Sequence, residues 1–191
     1  MTALPERIPL DDVGAVLRRH RSDDLDPLHA AIEESRDHLR SWMVWADQTR
    51  SDTEMFLSGV ATSWDAGSEH NYLIVDAADG AVLGGGGLHD RLGPSALEIG
   101  YWRRADVEGR GVVTAAARAL TAAAFTLPPI DRVEIHCDEA NVASAAVARR
   151  AGYRLARIVD VPVKAPAERK ARSRKRAEDE APVVKPAIPA P

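Results

Sequence analysis

Cysteine is nearly absent: Cys137 stands alone among 191 residues. No disulfide can close within the chain, so a reducing compartment, the cytoplasm, is expected. No stretch of about 18 apolar residues occurs, which argues against a membrane-spanning helix. The opening Met1-Thr2-Ala3-Leu4-Pro5-Glu6 lacks a basic segment followed by an apolar run, so no secretory signal is expected. No repeat recurs at a fixed period. The six histidines, His20, His29, His38, His70, His89 and His136, show no paired ligand spacing, and no metal is expected. The G-x-x-x-x-G-K-[ST] of a nucleotide P-loop is missing. Gly109-x-Gly111 is followed by Thr114 where a dinucleotide fingerprint needs a third glycine.

What is present suits one domain. The hydrophobic fraction of 45% is enough for a core. The net charge of −4 argues against a whole-domain binder of nucleic acid or anionic membrane. Composition changes after Lys164. Residues 164–191 hold five prolines and seven alanines, with eight Lys/Arg against four Asp/Glu. They show no hydrophobic periodicity and are read as a disordered tail behind a domain of residues 1–163. The basic run Arg169–Arg176 is either a solvated segment or an electrostatic contact for RNA, and the adjacent Glu178-Asp179-Glu180 weakens the second reading.

Along the domain, a strand is expected at Ala15–His20 and a helix at Asp26–Arg36, where Leu28, Ala31 and Ile32 keep helical spacing. Ser41-Trp42-Met43-Val44-Trp45 is an aromatic cluster between helices, read as a core plug or as a wall of a substrate groove. Ser51-x-x-Glu54 has capping-box spacing and starts a helix to Ala66. Tyr72–Val75 and Ala81–Leu88 read as strands joined by an Asp79-Gly80 hairpin. Gly84 to Gly87 fall inside the second strand, marking either close approach of a ligand or a tolerated bulge. Leu97–Trp102 is a further strand, and Val112–Phe125 an alanine-rich helix. Arg132–Asp138 alternates, with Val133, Ile135 and Cys137 on one face and Glu134, His136 and Asp138 on the other. A short helix from Asn141 ends at Gly152, and a last strand covers Tyr153–Val163.

The stretch that carries chemistry is a strand, a glycine turn and a helix. Amides at a helix start have no partner within the helix and carry partial positive charge, which suits a diphosphate. Gly109 and Gly111 lack a Cβ and allow close approach, Arg110 adds a cation, and Thr114 offers a hydroxyl.

The ordered set Glu98-Ile99-Gly100-Tyr101-Trp102, Gly109-Arg110-Gly111-Val112-Val113-Thr114, Arg132 to Asp138, Asn141-x-x-Ser144 and Ala151-Gly152-Tyr153 resembles a GNAT acyltransferase of the RimJ/RimL type. The resemblance is tightest over residues 97–154. It implies an α+β, three-layer fold: a mixed, splayed β-sheet of six or seven strands flanked by helices. It also implies acetyl-CoA as the acyl donor. Its diphosphate would lie on the amides of Gly109, Arg110, Gly111, Val112, Val113 and Thr114, with the pantetheine arm beside Ile99, Gly100, Tyr101 and Trp102. Asn141 matches the family asparagine at the pantetheine or acyl region, and Ser144 a serine near the coenzyme sulfur. The implied activity is transfer of the acetyl group to a primary amine (protein N-terminus, peptide or small molecule) by direct attack. A monomer or homodimer is expected.

The chain departs from the family at three points. The diphosphate turn R/Q-x-x-G-x-G/A begins here with Glu108 and ends with Val113. The tyrosine seven residues after the asparagine, a proton donor to the leaving thiolate, is replaced by Ala148. The family's last strand would fall at residues 165–176, a poor strand sequence. The base candidate is Glu98, with His89 and Asp90 behind it. Ser144 is the candidate proton donor. Trp42 and Trp45 are candidates for the acceptor groove. Two rivals remain open at this point: an acyl-CoA sensor without turnover, and an RNA-associated factor acting through its tail.

Overall fold

The structure is a computed structural model that describes residues 4–159 and the backbone of 183–188. Among the described residues nine strands form one mixed sheet. In chain order they are β1 Arg7–Leu10, β2 Ala15–Arg19, β3 Glu69–Asp76, β4 Val82–His89, β5 Ala96–Arg103, β6 Arg132–Glu134, β7 Cys137–Asp138, β8 Arg154–Val159 and β9 Val183–Ile188. The helices are α1 Leu25–Glu34, α2 Arg36–Arg40, α3 Arg50–Ala66, α4 Val112–Ala124 and α5 Val142–Arg150. The first five strands run antiparallel in sequence order. β5 then pairs parallel with β6 through the crossover helix α4. β9 lies between the β6/β7 pair and β8, antiparallel to each.

The sheet has two covered faces because its strands alternate. Leu17, Tyr72, Ile74, Ile99 and Val133 join the core under α4. Val16, Leu73, Val75 and Val82 join Leu28, Ile32 and Leu39 of α1 and α2 on the opposite face. Small side chains bring α4 close: Ala116, Ala117 and Ala124 are fully buried. A Cβ on Gly86 would come within 3.2 Å of Leu120 Cδ1, so glycine at that point admits the helix.

Several expectations are corrected. Among the described residues β1 is additional to the expected strands, and the expected Arg132–Asp138 strand is divided into β6 and β7. The helix α3 starts two residues before the expected box: Thr49 is its N-cap, accepting from the Asp52 amide, and Asp52 reaches back to the Thr49 amide. The end of the expected disordered tail, Val183–Ile188, is a strand, and it supplies the family's last strand from later in the chain than residues 165–176. The rest of that tail, 164–182 and 189–191, and the last four residues of the expected strand, 160–163, lie outside the described residues. Extending the β6–β9 and β7–β9 register sets Pro186 opposite Ile135, at the break between β6 and β7. Proline has no N–H to give the ladder, which accounts for the interruption there.

Candidate active site

The parallel pairing of β5 with β6 covers Ala96↔Arg132, Leu97↔Val133 and Glu98↔Glu134, and then ends. Beyond that point the strands part. A groove of about 820 Å³ opens beside the parting strands, within the range of small-molecule sites. Glu98 and Ile99 to Trp102 line it on one side and Ile135 to Asp138 on the other, with Asn141 and Ser144 of α5 at its edge. The strand, asparagine and serine positions expected from the sequence are thus brought together. Trp42 and Trp45 also line the groove, and Trp45 meets Trp102 edge to face at 5.8 Å.

Strand alternation assigns the two faces of this opening different chemistry. On the α4–α5 face, the Tyr101 hydroxyl lies 2.9 Å from Ser144 Oγ and 3.2 Å from the Ser144 carbonyl oxygen, to which it donates. Burial pushes the Tyr101 phenol well above its ordinary value, although Ser144 opposes the shift, so the phenol keeps its proton at neutral pH. Burial likewise raises the Cys137 thiol, which also contacts Ser144. From the sequence, Tyr101 is expected only as backbone beside the coenzyme. Its hydroxyl now supplies a phenol near the serine, while Ala148 is buried in the core. Asn141 is the N-cap of α5, its Oδ1 accepting from the Ser144 amide at 3.0 Å.

On the other face, His136 stands between two carboxylates. Its Nε2 is 2.7 Å from Glu134 Oε2 and its Nδ1 is 3.7 Å from Glu98 Oε2. Arg132 Nε holds the second oxygen of Glu134 at 2.9 Å. In the neighbouring strands His89 Nδ1 lies 3.3 Å from Glu69 Oε1, which Arg91 also meets at 3.3 Å. Burial works against the Glu69 carboxylate, but His89 and Arg91 together hold it below the usual carboxylate range. Burial and Arg91 together lower the His89 imidazole. Glu98 and His89 therefore both line the groove, whereas Asp90 is exposed and does not. The sequence pattern assigns no role to His136 or Glu134. The register pair Glu98↔Glu134 makes them neighbours, and register is not written in either segment alone.

The glycines of β4 are accounted for by protein neighbours. Trp102 Nε1 would be 2.6 Å from a Cβ on Gly85, and Asn71 Oδ1 2.7 Å from one on Gly87. His89 Nε2 would be 3.2 Å from the latter and 3.3 Å from a Cβ on Gly100. The indole, amide and imidazole thus occupy the space over these glycines.

The glycine turn lies at the start of α4. Gly109, Arg110 and Gly111 are exposed, with φ of +79° and +75° at the two glycines. Val112, Val113 and Thr114 are buried in the first turn of the helix. Among the described residues no side chain caps this helix start, which suits its first amides to an anionic ligand. Thr114 Oγ1 is buried and has no hydrogen-bond partner among the described residues. Both observations fit a diphosphate. Glu108 is turned to Arg103 at 3.3 Å, and Arg110 pairs with Asp76 at 3.0 Å. Among the described residues no group of three or more His, Cys, Asp or Glu is placed to hold a metal ion, and no helix is long and apolar enough to cross a membrane.

A splayed parallel pair, an uncapped glycine-led helix beside it and an open groove define an acyl-coenzyme A transferase site. The comparisons agree: the model of the acetyltransferase (GNAT) domain matches residues 15–154, and the chain belongs to that family. As a member it transfers an acetyl group from acetyl-CoA to an amine, which sets aside the sensor alternative. YdaF of Bacillus subtilis (strain 168), by name a ribosomal N-acetyltransferase, is 30% identical over 138 residues, covering 68% of this chain and 72% of its own. Solved structures share the fold. RimL, the ribosomal L7/L12 alpha-N-protein acetyltransferase in complex with coenzyme A, superposes with a TM-score of 0.81 at 22% identity over 96% of this chain and 98% of its own. RimJ of Mycobacterium smegmatis in complex with CoA-disulfide gives 0.74 at 20% identity over 94% and 84%.

Proposed function

We propose that the chain acetylates the α-amine of a protein or peptide N-terminus in the cytoplasm. The observation that carries this reading is the division of the opening between β5 and β7 into two chemically distinct faces. One holds Tyr101, Ser144 and Cys137; the other holds Glu98 and His136. The name of RimL, a ribosomal L7/L12 alpha-N-protein acetyltransferase, and that of YdaF, a ribosomal N-acetyltransferase, support a protein acceptor.

In this reading the amides of Gly109 to Thr114 hold the diphosphate, with Arg110 leaving Asp76 to add a cation. The pantetheine arm follows Ile99 to Trp102 and reaches Asn141. The acceptor arrives on the α1 face as an ammonium ion, drawn by Glu69 and Glu98. Glu98 takes its proton, directly or through water, and His136 with Glu134 steadies the resulting charge balance. The neutral amine attacks the thioester carbonyl carbon, and a backbone amide of β5 stabilises the oxygen as it gains charge. The carbon–sulfur bond breaks, the thiolate takes a proton from Ser144, which Tyr101 resupplies, and the second proton leaving the acylated nitrogen returns through water to Tyr101.

The test uses two peptides of one sequence containing a single lysine, one with a free α-amine and one with that amine blocked. Thiol release from acetyl-CoA is expected only with the free α-amine, and fragmentation should place the acetyl group on residue 1. Release with the blocked peptide, or an acetyl group on the lysine, would overturn the α-amine reading.

A further inference from the structure

His20 lines the groove, yet its ring nitrogen Nδ1 is buried and has no hydrogen-bond partner among the described residues. A buried polar atom without a partner carries a desolvation cost that a ligand can relieve. Burial holds this imidazole at about 4, far below its ordinary value, so it is neutral at physiological pH. It can then exchange a hydrogen bond with an uncharged group and adds no charge of its own. The ring of Phe56 stands edge-on to it at 5.6 Å.

Register places His20 at the far end of a line of positions crossing the sheet. β2 pairs Arg19 with Tyr72, so the next residue, His20, extends opposite Asn71. Asn71 pairs with Gly87, and Gly87 with Gly100. All four are on the α1 face, and all line the groove. The adjoining line on that face is Glu69, His89, Glu98 and Glu134. One line is charged and ends at the parting strands. The other has no charged side chain of its own, its two glycines lie under the Asn71 amide and the His89 imidazole, and it ends at an imidazole without a partner among the described residues.

We propose that the line from Gly100 through Gly87 and Asn71 to His20 is the bed of an acceptor peptide, and that His20 and Asn71 hydrogen-bond its third or fourth residue. The inference rests on the α-amine reading and adds the extent of the acceptor to it. Three interstrand steps of about 4.8 Å separate Gly100 from His20, roughly 14 Å in all. An extended chain rises about 3.3–3.6 Å per residue, so a peptide with its amine at Glu98 needs about four residues to reach His20. A small amine cannot span that distance. The neutral polar floor of amide and imidazole suits a peptide backbone or an uncharged polar side chain, and Phe56 supplies an apolar wall.

The experiment compares a single amino-acid amide with a tetrapeptide amide beginning with the same residue, both with free α-amines. The enzymes are the wild type, His20→Phe and His20→Gln, and thiol release from acetyl-CoA is the readout. For the wild type, kcat/KM is expected to be at least about tenfold higher for the tetrapeptide. His20→Phe should lose about five- to tenfold on the tetrapeptide, chiefly in KM, with the amino-acid amide and acetyl-CoA affinity unchanged. That range matches the loss of one hydrogen bond. His20→Gln, which keeps a donor and an acceptor, should recover part of the loss. Should His20→Phe not fold, Asn71→Ala carries the same comparison. Equal rates for the two acceptors with the wild type would overturn the subsite, as would equal losses on both in the variant. No thiol release with either acceptor would instead overturn the α-amine reading itself.

Discussion

Glu98 and Glu134 face each other in the last register pair of the parallel β5–β6 ladder, and the His136 imidazole lies between their carboxylates. The histidine ties the groove-lining Glu98 to the more deeply buried Glu134 and its partner Arg132.

Glu98→Gln should therefore lower kcat by about 10²–10³, within the usual range for loss of a general base, with acetyl-CoA affinity unchanged. His136→Gln should lower kcat about tenfold. The double variant should be no slower than Glu98→Gln alone, because the histidine acts through the carboxylate. Steady-state kinetics with saturating acetyl-CoA checks both; additive losses would separate the two residues.

Tyr101→Phe removes the hydroxyl that meets Ser144 and leaves the ring in place. The expected result is a loss of about tenfold in kcat with little change in stability. Ser144→Ala should cost at least as much, and the combined variant little more. The chain has no family tyrosine at Ala148, so the Tyr101–Ser144 pair is the proton source this account assigns to the leaving thiolate.

Thr114→Val separates binding from stability. The threonine hydroxyl is buried without a partner, and replacing it with an isosteric methyl removes that cost, so Tm without coenzyme should hold or rise. Acetyl-CoA affinity should fall several-fold, as calorimetry would register. Gly111→Ala should lose both, because φ of +75° disfavours a side chain by about 1–2 kcal/mol.

His20 also sets a pH dependence of stability. Its folded value of about 4 lies below the unfolded value near 6.5, so the unfolded chain binds the extra proton between those limits. Stability from this group is complete above about pH 6.5 and falls as pH drops towards about 4. The fully realised shift is worth about 3 kcal/mol. The fall in Tm between pH 7 and pH 4.5 should be smaller in His20→Phe than in the wild type.

The sequence was most legible where local pattern and chemistry coincide. Gly109 and Gly111 had to mark a turn at a helix start, and Asn141 had to begin a helix. The alternation of Arg132–Asp138 named the correct faces even though the strand is broken at Ile135. β1 was missed because Arg7–Leu10 is four residues long and includes Pro9. β9 was missed because Val183–Ile188 lies in an Ala/Pro-rich context, and its place between β6 and β8 is set by distant partners. Thr49 rather than Ser51 caps α3; both have an acidic residue three positions on, and only packing chooses between them. The Glu98–His136–Glu134 cluster and the His20–Asn71–Gly87–Gly100 line depend on register between strands far apart in sequence, which no single segment encodes.

The most direct test is a crystal structure of the chain with coenzyme A. The diphosphate is expected on the amides of Gly109 to Thr114 and the thiol between β5 and β7, within reach of Ser144 and Tyr101. Coenzyme A bound elsewhere, or a thiol end lying away from the parting strands, would contradict it.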